Sequence, residues 1–241
     1  MRKLTAVRVI LCSGLLMVAA GCFSQKAPGS DSKTEQILAQ LKEIKDLLKG
    51  ASKASGDEVL LADRQEPVLG KNDAPVTVVE FTDYQCPYCR KFHDETLPKL
   101  KAQYIDTGKV RLIMRDLPLS VHEFAKPAAI ATRCAQQQGQ FWPVFERLFR
   151  NKTLNQGIIT QALQESSIDM AAFERCRVDP KISAGVDEDL ADAERLGVDG
   201  TPGFVVATRK HGLLAGQLLL GAQPIDEFKA VIDPLLAKAK H

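Results

Sequence analysis

The chain has 241 residues, 45% of them hydrophobic and 26% charged, and its 32 basic and 30 acidic side chains leave a formal charge of +2. That is the make-up of a globular protein of one domain plus extras, and it excludes wholesale disorder and a polytopic membrane protein. A nucleic-acid binder is excluded too, since its basic excess would be larger and clustered.

Residues 1–21 carry Arg2, Lys3 and Arg8 and no acid, followed by an apolar run from Val9 to Ala20. The run is shorter than the roughly 20 residues that span a bilayer, so the segment reads as a secretory signal. It ends Val18-Ala19-Ala20-Gly21-Cys22. Small residues before a cysteine resemble a bacterial lipobox, with Ala19 where that motif prefers Leu. On this reading Cys22 is lipidated and anchors the protein to a membrane, because several acyl chains bind durably where one does not. The alternative is ordinary cleavage near Ala20 or Gly21. Both place the mature protein in an oxidising, extracytoplasmic compartment. Loss of the three basic residues turns the formal charge from +2 to −1.

Residues 22–57 read as a linker holding one short amphipathic helix. Phe23 to Lys33 is rich in Ser, Gly, Pro and Gln. Ile37, Leu41, Ile44 and Leu48 then follow the 4-3-4 spacing of a coiled-coil seam, Ser32 with Glu35 suits a capping box, and Gly50 suits a stop. About two heptads are covered. Residues 32–48 are therefore either a helix that lies on its own domain or serves as a spacer, or a self-association stalk that makes a homo-oligomer.

From residue 58 to 241 strand and helix patterns alternate. Val76 to Phe81 is β-rich and apolar, as a buried central strand would be. A helix is predicted from Pro87 toward Tyr104, kinked at Pro98, and a second strand over Val110 to Met114. Helices are then expected over 123–138, 141–150, 155–165, 170–176 and 181–196, the last capped by Gly197. Phe204 to Thr208 and Leu213 to Leu220 suit a hairpin, and Ile225 to Ala239 a final helix. The order implies a small α/β domain with a mixed sheet and a helical insertion over about 118–197.

The chemistry centres on Cys86-Pro87-Tyr88-Cys89. Haem attachment needs His after the second cysteine, where this chain has Arg90, and structural zinc needs further ligands at compatible spacing. No metal or cofactor is expected. The motif follows an apolar strand and opens a helix, which suits redox work. At a helix start, unpaired N–H groups and the positive end of the dipole favour an anion, so the Cys86 thiol becomes acidic. Pro87 fits the first helical position. Cys86 is then the exposed nucleophile and Cys89 the buried resolving thiol, with exchange through a mixed disulfide on Cys86. Glu80 is odd inside Val-Val-Glu-Phe. It is either solvated at an edge or a proton-handling group beneath the dithiol, tuned by burial. Thr201-Pro202 before a late strand is either an ordinary turn or a cis peptide.

The apolar strand, the acid before it ends, the CxxC and the late Thr-Pro together resemble the thioredoxin fold. The helical block between Leu117 and Leu196 narrows the resemblance to DsbA-like thiol–disulfide oxidoreductases. Further matching stretches are Ala74-Pro75-Val76-Thr77-Val78-Val79-Glu80-Phe81, Arg115-Asp116-Leu117-Pro118-Leu119, Gln138-Gly139-Gln140-Phe141-Trp142 and Leu196-Gly197-Val198-Asp199-Gly200-Thr201-Pro202. The resemblance covers about residues 67–239 and leaves 1–56 outside. It implies that Pro202 is cis, that Thr201 backbone atoms pair with an extended client peptide, that Pro87 and Tyr88 flank the client, and that Glu80 handles protons. It implies thiol-containing client proteins and a membrane redox partner that recycles the dithiol. Tyr88 replaces the His of the best-known oxidases, which leaves oxidase against isomerase or reductase open.

Cys134 and Cys176 lie in separate helices of the insertion. Similar family members carry a second pair, so a structural disulfide is expected; two buried free thiols are the alternative. Phe141 and Trp142 read as helical core and His122 as surface or capping; His93, one turn beyond Cys89, is either a solvated histidine, the simpler reading, or a group that modulates the site. A different class of function, a copper-handling or holdase protein, is disfavoured: with 4 Met and 4 His there is no soft-ligand tract.

Overall fold

The computed structural model describes residues 58–64 and 66–239, together with residues 38 and 42. The signal segment 1–21, Cys22 and the linker expected before residue 58 lie outside the described residues. Of the predicted helix over 32–48, only Leu38 and Lys42 are described, both helical and exposed. The chain divides into two units, 1–48 and 49–241, and the described strands belong to the second.

Six strands build one mixed sheet: β1 (Val59–Ala62), β2 (Val68–Leu69), β3 (Val76–Thr82), β4 (Val110–Asp116), β5 (Gly203–Lys210) and β6 (Leu213–Leu220). They lie in the order β1-β6-β5-β3-β4-β2, with β3 parallel to β4 and every other pair antiparallel. The two parallel strands, β3 and β4, are buried along their whole length, which is why they are so rich in Val, Ile and Leu. The edge strands β1 and β2 have four and two residues, too short to show a period, and the sequence pattern did not disclose them.

Alternation along the strands sorts side chains into two cores. Val76, Val78, Leu112, Met114, Phe204 and Val206 face one core, shared with Cys86, Cys89 and the helices after them. Val79, Phe81, Ile113, Val205 and Ala207 face the other, closed by Ala193, Val198 and Leu214. Glu80 has the parity of Val78 and therefore points to the dithiol side.

Helix α1 covers residues 87–105. It begins with regular turns at Pro87–Lys91, widens to a π turn at Phe92–Thr96, resumes at Leu97–Leu100 and widens again at Lys101–Ile105. The expected irregularity at Pro98 takes this form: proline offers no N–H to the preceding turn, and that turn is the π-helical one. The insertion holds α2 (Ala125–Gln137), α3 (Phe141–Arg150), α4 (Gln156–Gln164), α5 (Met170–Cys176) and α6 (Pro180–Leu196). Asp179 caps the start of α6 through the Lys181 N–H, and Gly197 ends it at φ 75°, a left-handed position that suits glycine. Helix α7 (Ile225–Lys238) returns to the first core through Phe228 and Ile232. Among the described residues no helix is long and apolar enough to cross a membrane.

A disulfide joins Cys134 of α2 to Cys176 of α5 across 42 residues, with the Cα atoms 5.8 Å apart. Loop closure of this length restricts the unfolded chain by about 2–4 kcal/mol. The double variant Cys134→Ala/Cys176→Ala is expected to lose that much in non-reducing urea unfolding while keeping the sheet intact. Unchanged stability would show the bridge to be energetically idle.

On the other side of the sheet an ion network is buried. Arg115 of β4, its side chain 0% exposed, reaches Glu66 (2.6 Å) and Asp192 (2.7 Å) and donates to the Ala62 carbonyl (2.5 Å). Arg133 of α2 pairs with Asp116 (2.5 Å) and with Asp189 of α6. Arg64 adds contacts to Asp189 (2.9 Å) and Asp192 (2.7 Å). The network ties the helical insertion to the end of β4 that lies beside the CxxC loop.

Candidate active site

The dithiol loop is set by β3 and a turn. Asp83 accepts from the Gln85 N–H at 2.7 Å, the Asx turn that lets the chain leave the strand sharply. Its other carboxyl oxygen accepts from the Leu119 N–H (2.9 Å) and contacts His122 Nδ1 (2.7 Å). Gln85 Oε1 accepts from the Phe124 N–H at 2.8 Å. The loop is therefore clamped to the start of the insertion. The sequence reading passed over Asp83 and Gln85; the Asp at the strand end, two residues before Gln85, was the available signal. His122 serves here as a partner for Asp83, in keeping with a capping role.

Cys86 occupies the N-cap of α1 in extended conformation (φ −72°, ψ 124°), and Pro87 opens the helix. The Cys86 N–H donates to the Asp83 carbonyl at 3.1 Å and the Cys86 carbonyl accepts from Arg90 at 3.2 Å. Its sulfur lies 3.4 Å from the Thr201 carbonyl, to which it donates while it is protonated. The Thr201–Pro202 peptide is cis, and Thr201 Oγ1 is buried without another protein partner. Both cysteines are free thiols; Cys86 is 4% exposed and Cys89 is fully buried, so the two differ less in accessibility than the sequence suggested. Tyr88 is the open flank of the loop, 64% exposed.

The two thiols are pulled in opposite directions. The Cys89 thiol donates to Cys86 and, against the cost of burial, draws the Cys86 pKa down to about 5, with further help from the Thr201 side chain and the backbone N–H groups of Cys89 and Tyr88. Burial pushes Cys89 well above an ordinary thiol, and its bond to Cys86 and the nearby Glu80 charge add to this. The Asp83 N–H contacts Cys89 Sγ at 3.5 Å. One sulfur is thus an anion at neutral pH while its neighbour keeps its proton, the division of labour that exchange needs.

Glu80 is 0% exposed, which removes the edge-facing alternative. Its backbone pairs with Met114 and Phe204, and its Oε1 lies 2.9 Å from His93 Nε2. His93 is not solvated as expected: its side chain is 6% exposed. Helical spacing explains this, because Cys89, Phe92, His93 and Thr96 share the inner face of α1. Phe141 is core, and Trp142 packs against it while donating to the Val68 carbonyl at 3.2 Å.

The thioredoxin family model matches residues 62–234. Over 195 residues the chain is 30% identical to the probable disulfide bond formation protein D of Bacillus cereus, covering 77% of this chain and 85% of that protein. The chain is also 32% identical over 177 residues to the Na(+)/H(+) antiporter NhaA 3 of Salinispora tropica, where the match spans only 26% of the antiporter's length. Alpha-DsbA1 of Wolbachia pipientis superposes with a TM-score of 0.63 at 27% identity, covering 75% of this chain and 95% of that one. A strand–CxxC–helix unit beside a cis-proline loop, a helical insertion and these relatives agree: the chain belongs to the DsbA-like thiol–disulfide oxidoreductases of the thioredoxin fold.

Proposed function

We propose that the protein donates disulfides to thiol-containing client proteins outside the cytoplasm. Cys86 is the sulfur attacked by the client, Cys89 the leaving and resolving thiol, and Glu80 the buried group that gives and takes the Cys89 proton. The observation that carries the reading is the Cys86 sulfur at a helix start, held 3.4 Å from Thr201 with its pKa near 5. A stabilised thiolate favours the reduced dithiol, which makes the disulfide form a strong oxidant. That supports net oxidation over isomerisation or reduction.

In the proposed cycle an extended client segment lies along Thr201 and Pro202, pairs through backbone atoms and contacts Pro87 and Tyr88. The client thiolate attacks Cys86 Sγ, the bond to Cys89 breaks, and Cys89 takes a proton. A second client thiolate attacks the mixed disulfide and releases Cys86 as a thiolate. A membrane redox partner reoxidises the dithiol. Lipidation at Cys22 holds the enzyme near that partner, and residues 32–48 act as a spacer or a self-association stalk.

Alkylation of the reduced protein tests the central claim. The rate at Cys86 is expected to inflect near pH 5 and to be flat above about pH 6.5. Sign and window follow from the lowered value: the thiolate persists down to about 5 instead of vanishing near 9. An inflection near 8–9 would remove the basis for an oxidising dithiol.

A further inference from the structure

Glu80 does not stand alone beneath the dithiol. While Oε1 faces His93 Nε2 at 2.9 Å, Oε2 is buried with no protein partner, and so is the far ring nitrogen, His93 Nδ1. The imidazole sits in an aromatic slot: stacked on Phe149 with centroids 4.2 Å apart, and edge-on to Phe145 (5.0 Å) and Phe92 (5.3 Å). A phenylalanine would fill that slot without bringing a buried nitrogen that lacks a protein partner. What a histidine adds is a group that carries a proton on either nitrogen and touches the buried Glu80 carboxyl.

We propose that His93 is a positioning residue for thiol–disulfide exchange, fixing the Glu80 carboxyl beneath Cys89 and trading protons with it. The inference rests on the reading of Cys86–Cys89 as the redox pair and of Glu80 as its acid and base. When a client thiolate attacks Cys86, the Cys86–Cys89 bond breaks and Cys89 leaves as a thiolate. Glu80 in its acid form protonates that sulfur, and the His93 imidazolium returns a proton to Glu80. In the reverse step the Cys89 proton passes to the Glu80 carboxylate and on to neutral His93. The Cys89 thiolate then attacks Cys86 Sγ, the disulfide to Cys89 forms, and the client leaves as a thiolate. The titratable groups around the ring are Glu80 from β3, Cys89 from α1 and Tyr84 from the loop before α1. The Tyr84 phenol is engaged by Thr132 at 3.1 Å and held well above its usual pKa by burial, so it keeps its proton. Helix α3 presents the rings of Phe145 and Phe149 to His93.

Two variants separate chemistry from packing: His93→Phe keeps the ring stack and removes both nitrogens, and His93→Gln keeps a hydrogen-bonding group that does not titrate. The readout is the rate at which Cys89 releases a preformed mixed disulfide between Cys86 and a short cysteine peptide, from pH 5 to 9. His93→Phe is expected to release roughly tenfold more slowly at pH 7, below the ~100-fold of a direct acid–base group, and to depend more steeply on pH. Its melting temperature and its Cys86 alkylation profile should stay as in the parent. His93→Gln is expected to recover part of the rate but not the pH profile. Release by His93→Phe at the parental rate and pH dependence overturns the proposal. So does a parallel loss of rate and melting temperature in both variants with an unchanged pH profile, which would mark a structural role. Glu80→Gln is measured alongside. If it also releases at the parental rate, the acid–base reading of Glu80 fails together with the proposal; if Glu80→Gln is slow and only His93→Phe is parental, His93 alone is removed.

Discussion

Cys86→Ser is expected to reduce insulin at the uncatalysed background rate and to transfer no disulfide to a reduced peptide, whereas Cys89→Ser is expected to accumulate mixed disulfides with clients. The asymmetry comes from geometry. Cys86 ends the β3 loop at the N-cap, beside Thr201, where an incoming sulfur approaches along the client strand. Cys89 is fully buried one turn further on, beside the sulfur of Cys86 and closed to an incoming client sulfur. Serine at 89 leaves no disulfide to donate, but the Cys86 thiolate can still attack a client disulfide, expelling one client thiolate, and no second sulfur then resolves the mixed disulfide. Cys89→Ser carries a second expected change. The main force lowering the Cys86 pKa is the bond donated by the Cys89 thiol. A serine hydroxyl donates at a different length, so the alkylation inflection should move up from about 5 while staying below an ordinary thiol, because the Thr201 side chain and the helix-start N–H groups still act. Trapped complexes on non-reducing gels and the alkylation profile of the variant check the two halves. Full insulin reduction by Cys86→Ser would remove the dithiol from the mechanism.

The line from sequence to site was short where local chemistry dictated it. A β-branched apolar run, a proline after a cysteine and a glycine after the last apolar turn each have one good structural use, and β3, the start of α1 and the end of α6 follow. Placing Thr201 against Cys86 needed the family resemblance, since no local rule joins residues so far apart in the chain. His93 was misjudged although its place one turn beyond Cys89 was read, because a polar side chain was given more weight than the buried face that an i+4 neighbour shares. Asp83 was passed over although an acid at a strand end is a familiar turn-former. The ion network of Arg64, Arg115, Arg133, Asp189 and Asp192 was illegible for another reason. Each residue reads alone as solvated, and only the packing of α6 and α2 against β4 buries them together.

That network gives the second large effect. Arg115→Met keeps most of the side-chain volume but removes the fully buried cation that faces Glu66, Asp192 and, at 3.9 Å, Asp189. Breaking a buried pair by deleting one partner costs about 3–5 kcal/mol, because the remaining charges stay desolvated. Arg64 still contacts Asp189 and Asp192, so the lower end, about 3 kcal/mol, is expected. The loss depends on pH in a definite direction. Burial pushes Asp189 up to about 7, with the Asp116 charge adding to it, and burial raises Glu66 as well. A carboxyl whose folded pKa is raised contributes its full stability below the unfolded value near 4 and loses it as pH rises through about 7. Arg115 opposes that rise in both groups. Without it the ionised carboxyls are penalised more, while the protonated ones are little affected. Urea unfolding of both proteins at pH 5 and pH 8 should therefore show a larger difference at pH 8 than at pH 5. An equal loss at both pH values, or one below about 1 kcal/mol at pH 8, would mean that Arg64 and Arg133 already neutralise the cluster and that Arg115 is held there by its bond to the Ala62 carbonyl and its packing beneath Phe81.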